Sequence, residues 1–152
     1  MTMTEGRETS FLASPMLMYI YYFLGILAVF VGGFPMLIVF VGGIVSRMAA
    51  RREDAPLIVA HSSWIVRSTW VSTLLMVAVC LGGIILLLMS GVDFDALPDD
   101  IDVQAIMNNP ALQQSMAYVM GMMCGVFVVM AWFFYRMVRG AYKLSRALPP
   151  VS

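Results

Sequence analysis

The sequence predicts an all-α membrane protein, a polytopic helical bundle of about three transmembrane helices with a broken first helix. Three observations predict it. Of 152 residues, 61% are hydrophobic and only 12% charged, where a soluble domain carries roughly a quarter of its residues as charged types. The charges gather in 1–8, 47–54, at Arg67, and in 93–102 and 136–146, leaving 11–46, 68–92 and 103–135 uncharged. Each of those runs can hold the roughly 20 apolar residues that cross a hydrocarbon core about 30 Å thick. The whole chain, 1–152, reads as a single transmembrane domain.

The first span is expected over about 15–47. A straight helix over the run 11–46 would be about 54 Å long, too long for one crossing. Gly32, Gly33 and Pro35 interrupt it, because proline removes a backbone donor and the glycines lower the cost of bending. A single crossing broken at 32–35 is the expectation, with a re-entrant hairpin, and hence a four-segment arrangement, as the alternative. Gly42 and Gly43 offer a flat surface for close packing. A polar turn follows, and Pro56 suits the first turn of a new helix. Residues 57–67 mix apolar and polar side chains and lead into the second span, 66–90, where Gly82 and Gly83 again permit close approach.

The segment 91–110 holds five aspartates and no basic residue. Asn109-Pro110 is a start signal for the third span, 111–138, which contains the packing pair Gly121 and Gly125. The tail 139–152 is basic. Lys and Arg mark cytoplasmic loops, so loop 47–54 and the C-terminus are expected inside and the acidic loop 91–110 outside, in the inner (cytoplasmic) membrane of a cell. Two Glu beside one Arg in residues 1–10 argue against a cleavable signal peptide.

Two polar clusters stand out. His61, Trp64, Arg67 and Trp70 recur every third residue, which makes neighbours on a helix. Arg67 can lie over Trp64 or Trp70 as a cation–π pair. Tyr135, Arg136 and Arg139, with Trp132, Tyr142 and Lys143, form the second cluster. Both suit anchoring at the headgroup level, and the second also suits anionic lipid headgroups. Met116, Met120 and Met123 share a face near Cys124, but methionine is scattered through the chain and packing is the better account than Cu(I) binding. Cys80 and Cys124 read as packing thiols. Asp93 and Asp95 lack the remaining ligands of a calcium loop. There is no phosphate loop, nucleophile elbow or HExxH pair, and no carboxylate within a span, which argues against a proton-coupled pump. No catalytic residue, metal or cofactor is expected, and no nucleic-acid partner.

Tyr22-Phe23-Leu24-Gly25, Gly32-Gly33, Gly43-Ile44-Val45-Ser46-Arg47, His61-Ser62-Ser63-Trp64-Ile65-Val66-Arg67-Ser68-Thr69-Trp70 and Tyr135-Arg136-Met137-Val138-Arg139-Gly140 together resemble the uncharacterised small bacterial membrane proteins of the DUF4870 type, distantly similar to the Tic20-like fold. The resemblance runs over about 18–148. It implies fold and location rather than a reaction. Relatives carry further aromatic or polar residues where this chain has Ser62, Ser63, Ile65 and Val66, and the outer loop here is longer and more acidic. The functional expectation is a non-enzymatic protein acting by helix–helix association, as a homo-oligomer or an accessory subunit of a membrane complex. The alternative is a small channel or carrier with a path near Gly32–Pro35 and His61/Arg67.

Overall fold

The structure, a computed structural model, describes residues 10–31, 34–90 and 109–150. Among them the chain is all-helical: a single 3-10 turn, Phe11–Ala13, precedes α1 (Pro15–Val31), α2 (Phe34–Arg52), α3 (Pro56–Met89) and α4 (Pro110–Ser145). Gly32, Gly33 and the acidic loop lie outside the described residues.

Local chemistry sets the helix starts. Ser14 is extended and its Oγ accepts the Leu17 amide at 3.3 Å, while Pro15 occupies the first helical position. Asn109 caps α4 in the same way, its Oδ1 accepting the Leu112 amide at 3.4 Å ahead of Pro110. Pro56 opens α3. In each case proline's missing N–H falls where a helix has no partner for it, and at Ser14 and Asn109 the cap satisfies an orphan donor.

The helix ends are equally legible. After α2, Asp54 adopts a left-handed φ of 52° and the Ala55 amide reaches back to the Ala50 carbonyl at 3.0 Å. After α4, Ala147 has φ 53° and the Leu148 amide reaches the Lys143 carbonyl at 3.0 Å. Both are six-to-one closures of the Schellman kind. The third helix thus continues past the expected 138 to Ser145, because nothing between Arg139 and Ser145 breaks it; the basic tail is helical for its first two turns.

The chain divides into two compact units, Met1–Ser72 with Ala131–Ser152, and Thr73–Met130. In the first, α2 folds back along α1. Gly42 sits against the Tyr21 ring, so close that a Cβ at 42 would stand 2.5 Å from it. At the open end of this pair the Ser10 amide donates to Glu53 Oε2 at 3.1 Å. One broken helix would separate residues 10 and 53 by tens of ångströms. The two halves therefore do not run on in one line; α1 and α2 pair antiparallel as a helical hairpin. Met18, Tyr22, Val39, Ile65 and Met137 make the buried centre of this unit.

In the second unit the α3 and α4 segments are antiparallel. Gly83 faces Met122, Gly125 faces Val79, and Ser115 Oγ donates to Ser90 Oγ at 3.1 Å. Gly82 and Gly121 have nothing in front of them. Cys80 is half-buried and Cys124 exposed, so the thiol at 124 is not a buried packing group. Met116, Met120 and Met123 are likewise exposed.

Among the described residues, α3 and α4 are the two helices long and apolar enough to cross a membrane. Their most apolar windows are only 11% buried. A soluble protein's apolar helix is covered by its own fold, and contiguous exposed apolar surface on this scale needs another cover.

Candidate functional site

The polar side chains that chemistry would use meet in the first unit, where α1, α2, the start of α3 and the end of α4 converge. Two arrangements are present, one sealed and one open.

The sealed one centres on His61. Its ring is completely buried, and both nitrogens are engaged: Nδ1 lies 2.7 Å from the Tyr22 hydroxyl and Nε2 2.9 Å from the Leu148 carbonyl. A carbonyl only accepts, so Nε2 carries the hydrogen; in the neutral ring Nδ1 then accepts from the Tyr22 O–H. Tyr22 meets the imidazole edge-on, with ring centroids 5.9 Å apart. Its other face lies against Gly140, where a Cβ would overlap the phenol ring. The histidine thus joins α1, α3 and the turn after α4 with no free ring nitrogen. That geometry suits a structural bridge and leaves no lone pair for metal ligation or proton abstraction.

One turn further along α3, Trp64 is covered by Arg136 from α4, whose guanidinium carbon stands 3.8 Å from the ring centroid and 4.8 Å from that of Trp132. Arg136 Nε donates to Ser68 Oγ at 2.9 Å, and Trp64 Nε1 to the Arg136 carbonyl at 3.4 Å. Two rings and a hydroxyl hold the planar cation, which suits arginine and not lysine. The sequence offered Arg67 as the cation for Trp64 or Trp70; over Trp64 it is Arg136.

The open arrangement is a surface groove of about 520 Å³ lined by Phe40, Arg47, Ser63, Val66, Arg67 and Trp70. Phe40 and Trp70 stack with centroids 6.0 Å apart and 23° between planes. Gly43 makes the close approach of α2 to α3 here, with a Cβ at 43 falling 2.9 Å from Val66.

The structure therefore divides the first cluster. At about 100° per residue, a step of three along a helix drifts by about 60°, so His61 and Trp70 end on opposite sides. His61 and Trp64 go inward; Arg67 and Trp70 face the groove and the exterior. Tyr135 and Arg139 are exposed on α4, away from Arg136's cage. Pro35 lies in the first turn of α2. Sequence reasoning did not single out Tyr22, Phe40 or Arg47 as site residues, while Ser68 stood beside the first cluster. Arg47 was visible as a topology charge and within a resemblance motif, and Tyr22 only within such a motif.

No family model, no curated protein and no solved structure matches this chain.

Proposed function

We propose that this chain is a non-enzymatic protein of the inner membrane that acts by helix–helix association, as a homo-oligomer or an accessory subunit of a membrane complex. The observation that carries this reading is the pair of long apolar helices, α3 and α4, with windows only 11% buried, on which Gly82 and Gly121 face open space. Lipid covers such surface, and small residues let a neighbouring helix approach closely.

In this reading α3 and α4 cross the bilayer and the α1–α2 hairpin enters from the side of the tail. At roughly 1.5 Å per residue, the 34 residues of α3 measure about 51 Å. Its first turns thus stand at headgroup depth when 66–90 occupies the core. α1 runs antiparallel to the end of α4, with Phe30 against Phe134 and Tyr22 against Gly140. The hairpin's open end then lies level with the basic tail, on the cytoplasmic side by the positive-inside rule, with loop 91–110 outside. A kinship with the DUF4870-type proteins belongs to the same proposal. It rests on the sequence motifs that carry the resemblance, from Tyr22-Phe23-Leu24-Gly25 to Tyr135-Arg136-Met137-Val138-Arg139-Gly140.

Chemical crosslinking and native mass spectrometry of the detergent-solubilised protein test the association. A defined oligomer or a stoichiometric partner is expected, weakened when Gly82→Leu and Gly121→Leu are combined. A strictly monomeric species with nothing co-purifying overturns it. The channel or carrier reading has less support, since His61 offers no free nitrogen to a path; flux into liposomes above that of empty vesicles would favour it instead.

A further inference from the structure

We propose that the groove between α2 and α3 is a binding site for the headgroup of an anionic phospholipid, with Arg47 and Arg67 taking its phosphate. Two guanidiniums border one concavity, and among the described residues no carboxylate lines it. Arg47 is half-buried, and its Nε is shielded from solvent yet has no hydrogen-bond partner among the described residues. A buried N–H on a cation is costly to leave unmade, and a phosphate oxygen is the acceptor whose geometry and charge match it. Arg67, exposed on α3, supplies a second fork from the opposite wall.

The occupant is a lipid rather than a free phosphate because of what adjoins the cations. Phe40, Val66 and Trp70 form the apolar side of the same groove. On α2 that side continues into Leu37, Val41 and Ile44, all exposed. An amphiphile whose phosphate meets the arginines can lay its acyl chains along this surface; inorganic phosphate would leave it uncovered. The site rests on the membrane reading above, because it places Arg47 and Arg67 at headgroup depth.

The test uses the full chain in detergent, with phosphatidylglycerol and phosphatidylcholine as competing probes and native mass spectrometry as the readout. Wild type is expected to retain phosphatidylglycerol preferentially. Arg67→Gln, at an exposed position that leaves the fold intact, should lower that retention by about tenfold, as expected for losing one charge-assisted contact. Arg47→Gln with Arg67→Gln should abolish the preference. Arg52→Gln, an exposed cation outside the groove, should leave it unchanged. Equal losses for Arg52→Gln and Arg67→Gln would overturn the site, since they would reflect surface charge alone. Displacement of the lipid by inorganic phosphate alone would overturn the choice of occupant. Alkaline carbonate extraction reports separately on membrane integration: a protein released from membranes fails the parent reading, whereas one that stays but shows no lipid preference fails only this one.

Discussion

The phenol of Tyr22 on α1 donates its hydrogen to Nδ1 of His61 on α3, 2.7 Å away, and the other nitrogen of that ring is spent on the Leu148 carbonyl. Three chain segments far apart in sequence are thereby fastened through one imidazole. Tyr22→Phe should destabilise the protein by about 1–3 kcal/mol, the cost of a buried acceptor left without its donor. His61→Leu leaves the Tyr22 hydroxyl without its acceptor, so combining it with Tyr22→Phe, which removes that hydroxyl, should cost less than the two single changes added together. Unfolding midpoints in detergent for the two single variants and the double variant check this. Strict additivity would mean that the contact carries no energy.

The glycines separate into two kinds, and alanine substitution should tell them apart. A methyl at Gly140 would overlap Tyr22, which is itself fully buried and hydrogen-bonded and so has nowhere to go. Gly140→Ala should therefore destabilise by about 1–3 kcal/mol, in the range of an overpacked core. Gly82→Ala and Gly121→Ala meet nothing within 4 Å. They should stabilise their helices by up to about 1 kcal/mol through propensity alone. Thermal unfolding of the three variants distinguishes the classes.

Arg136 is held by shape as well as charge. Arg136→Lys keeps the cation but loses the plane that lies over Trp64 and the Nε that reaches Ser68. A loss of about 1–2 kcal/mol is expected, close to that for Arg136→Gln, because cation–π and hydrogen-bond geometry both depend on the guanidinium. Tryptophan emission should also change, since Trp64 and Trp132 both lie against this group. The same Arg→Lys change at Arg67 should leave stability unaltered.

Ala147 holds a left-handed backbone conformation, φ 53°, which costs an L-residue with a Cβ about 1 kcal/mol relative to glycine. Ala147→Gly should raise stability by about 0.5–1 kcal/mol. Asp54, at φ 52° after α2, should respond less to glycine, because its short polar side chain tolerates that region. Denaturation of both variants against wild type measures the difference.

The hairpin reading makes a topological prediction that a single broken crossing does not. Tags at the N-terminus and at Ser152 should report the same side of the membrane, and a tag at Asp95 the opposite one. Reporter fusions or thiol labelling from either side check it. An N-terminus opposite Ser152 would restore the single crossing.

Helix placement was largely written in the sequence. Uncharged runs, the Pro56 and Asn109-Pro110 starts and the glycine pairs mark the elements through local rules that need no partner. What was not legible was pairing. The break near Gly32–Pro35 permits both a kink and a reversal, and the fit of Gly42 under Tyr21 and the Ser10–Glu53 hydrogen bond distinguish them. Likewise a basic residue three positions along the same helix is a natural guess for Trp64, but the cation that covers it comes from 72 residues away in sequence. Drift of the every-third-residue row separates Arg67 from His61, and that drift could have been computed beforehand. Arg47 owes its interest to a neighbouring helix, which no local pattern announces.

The turn after α4 also fixes an order of events. Tyr22 and His61 leave the ribosome long before Leu148, whose carbonyl is presented only once Ala147 has turned and the Leu148 amide has closed on Lys143. Until residue 148 has been made, the imidazole has one of its two partners. The turn after α4 is therefore the clasp that fastens α1 to α3, although it is the last of the three segments to be synthesised.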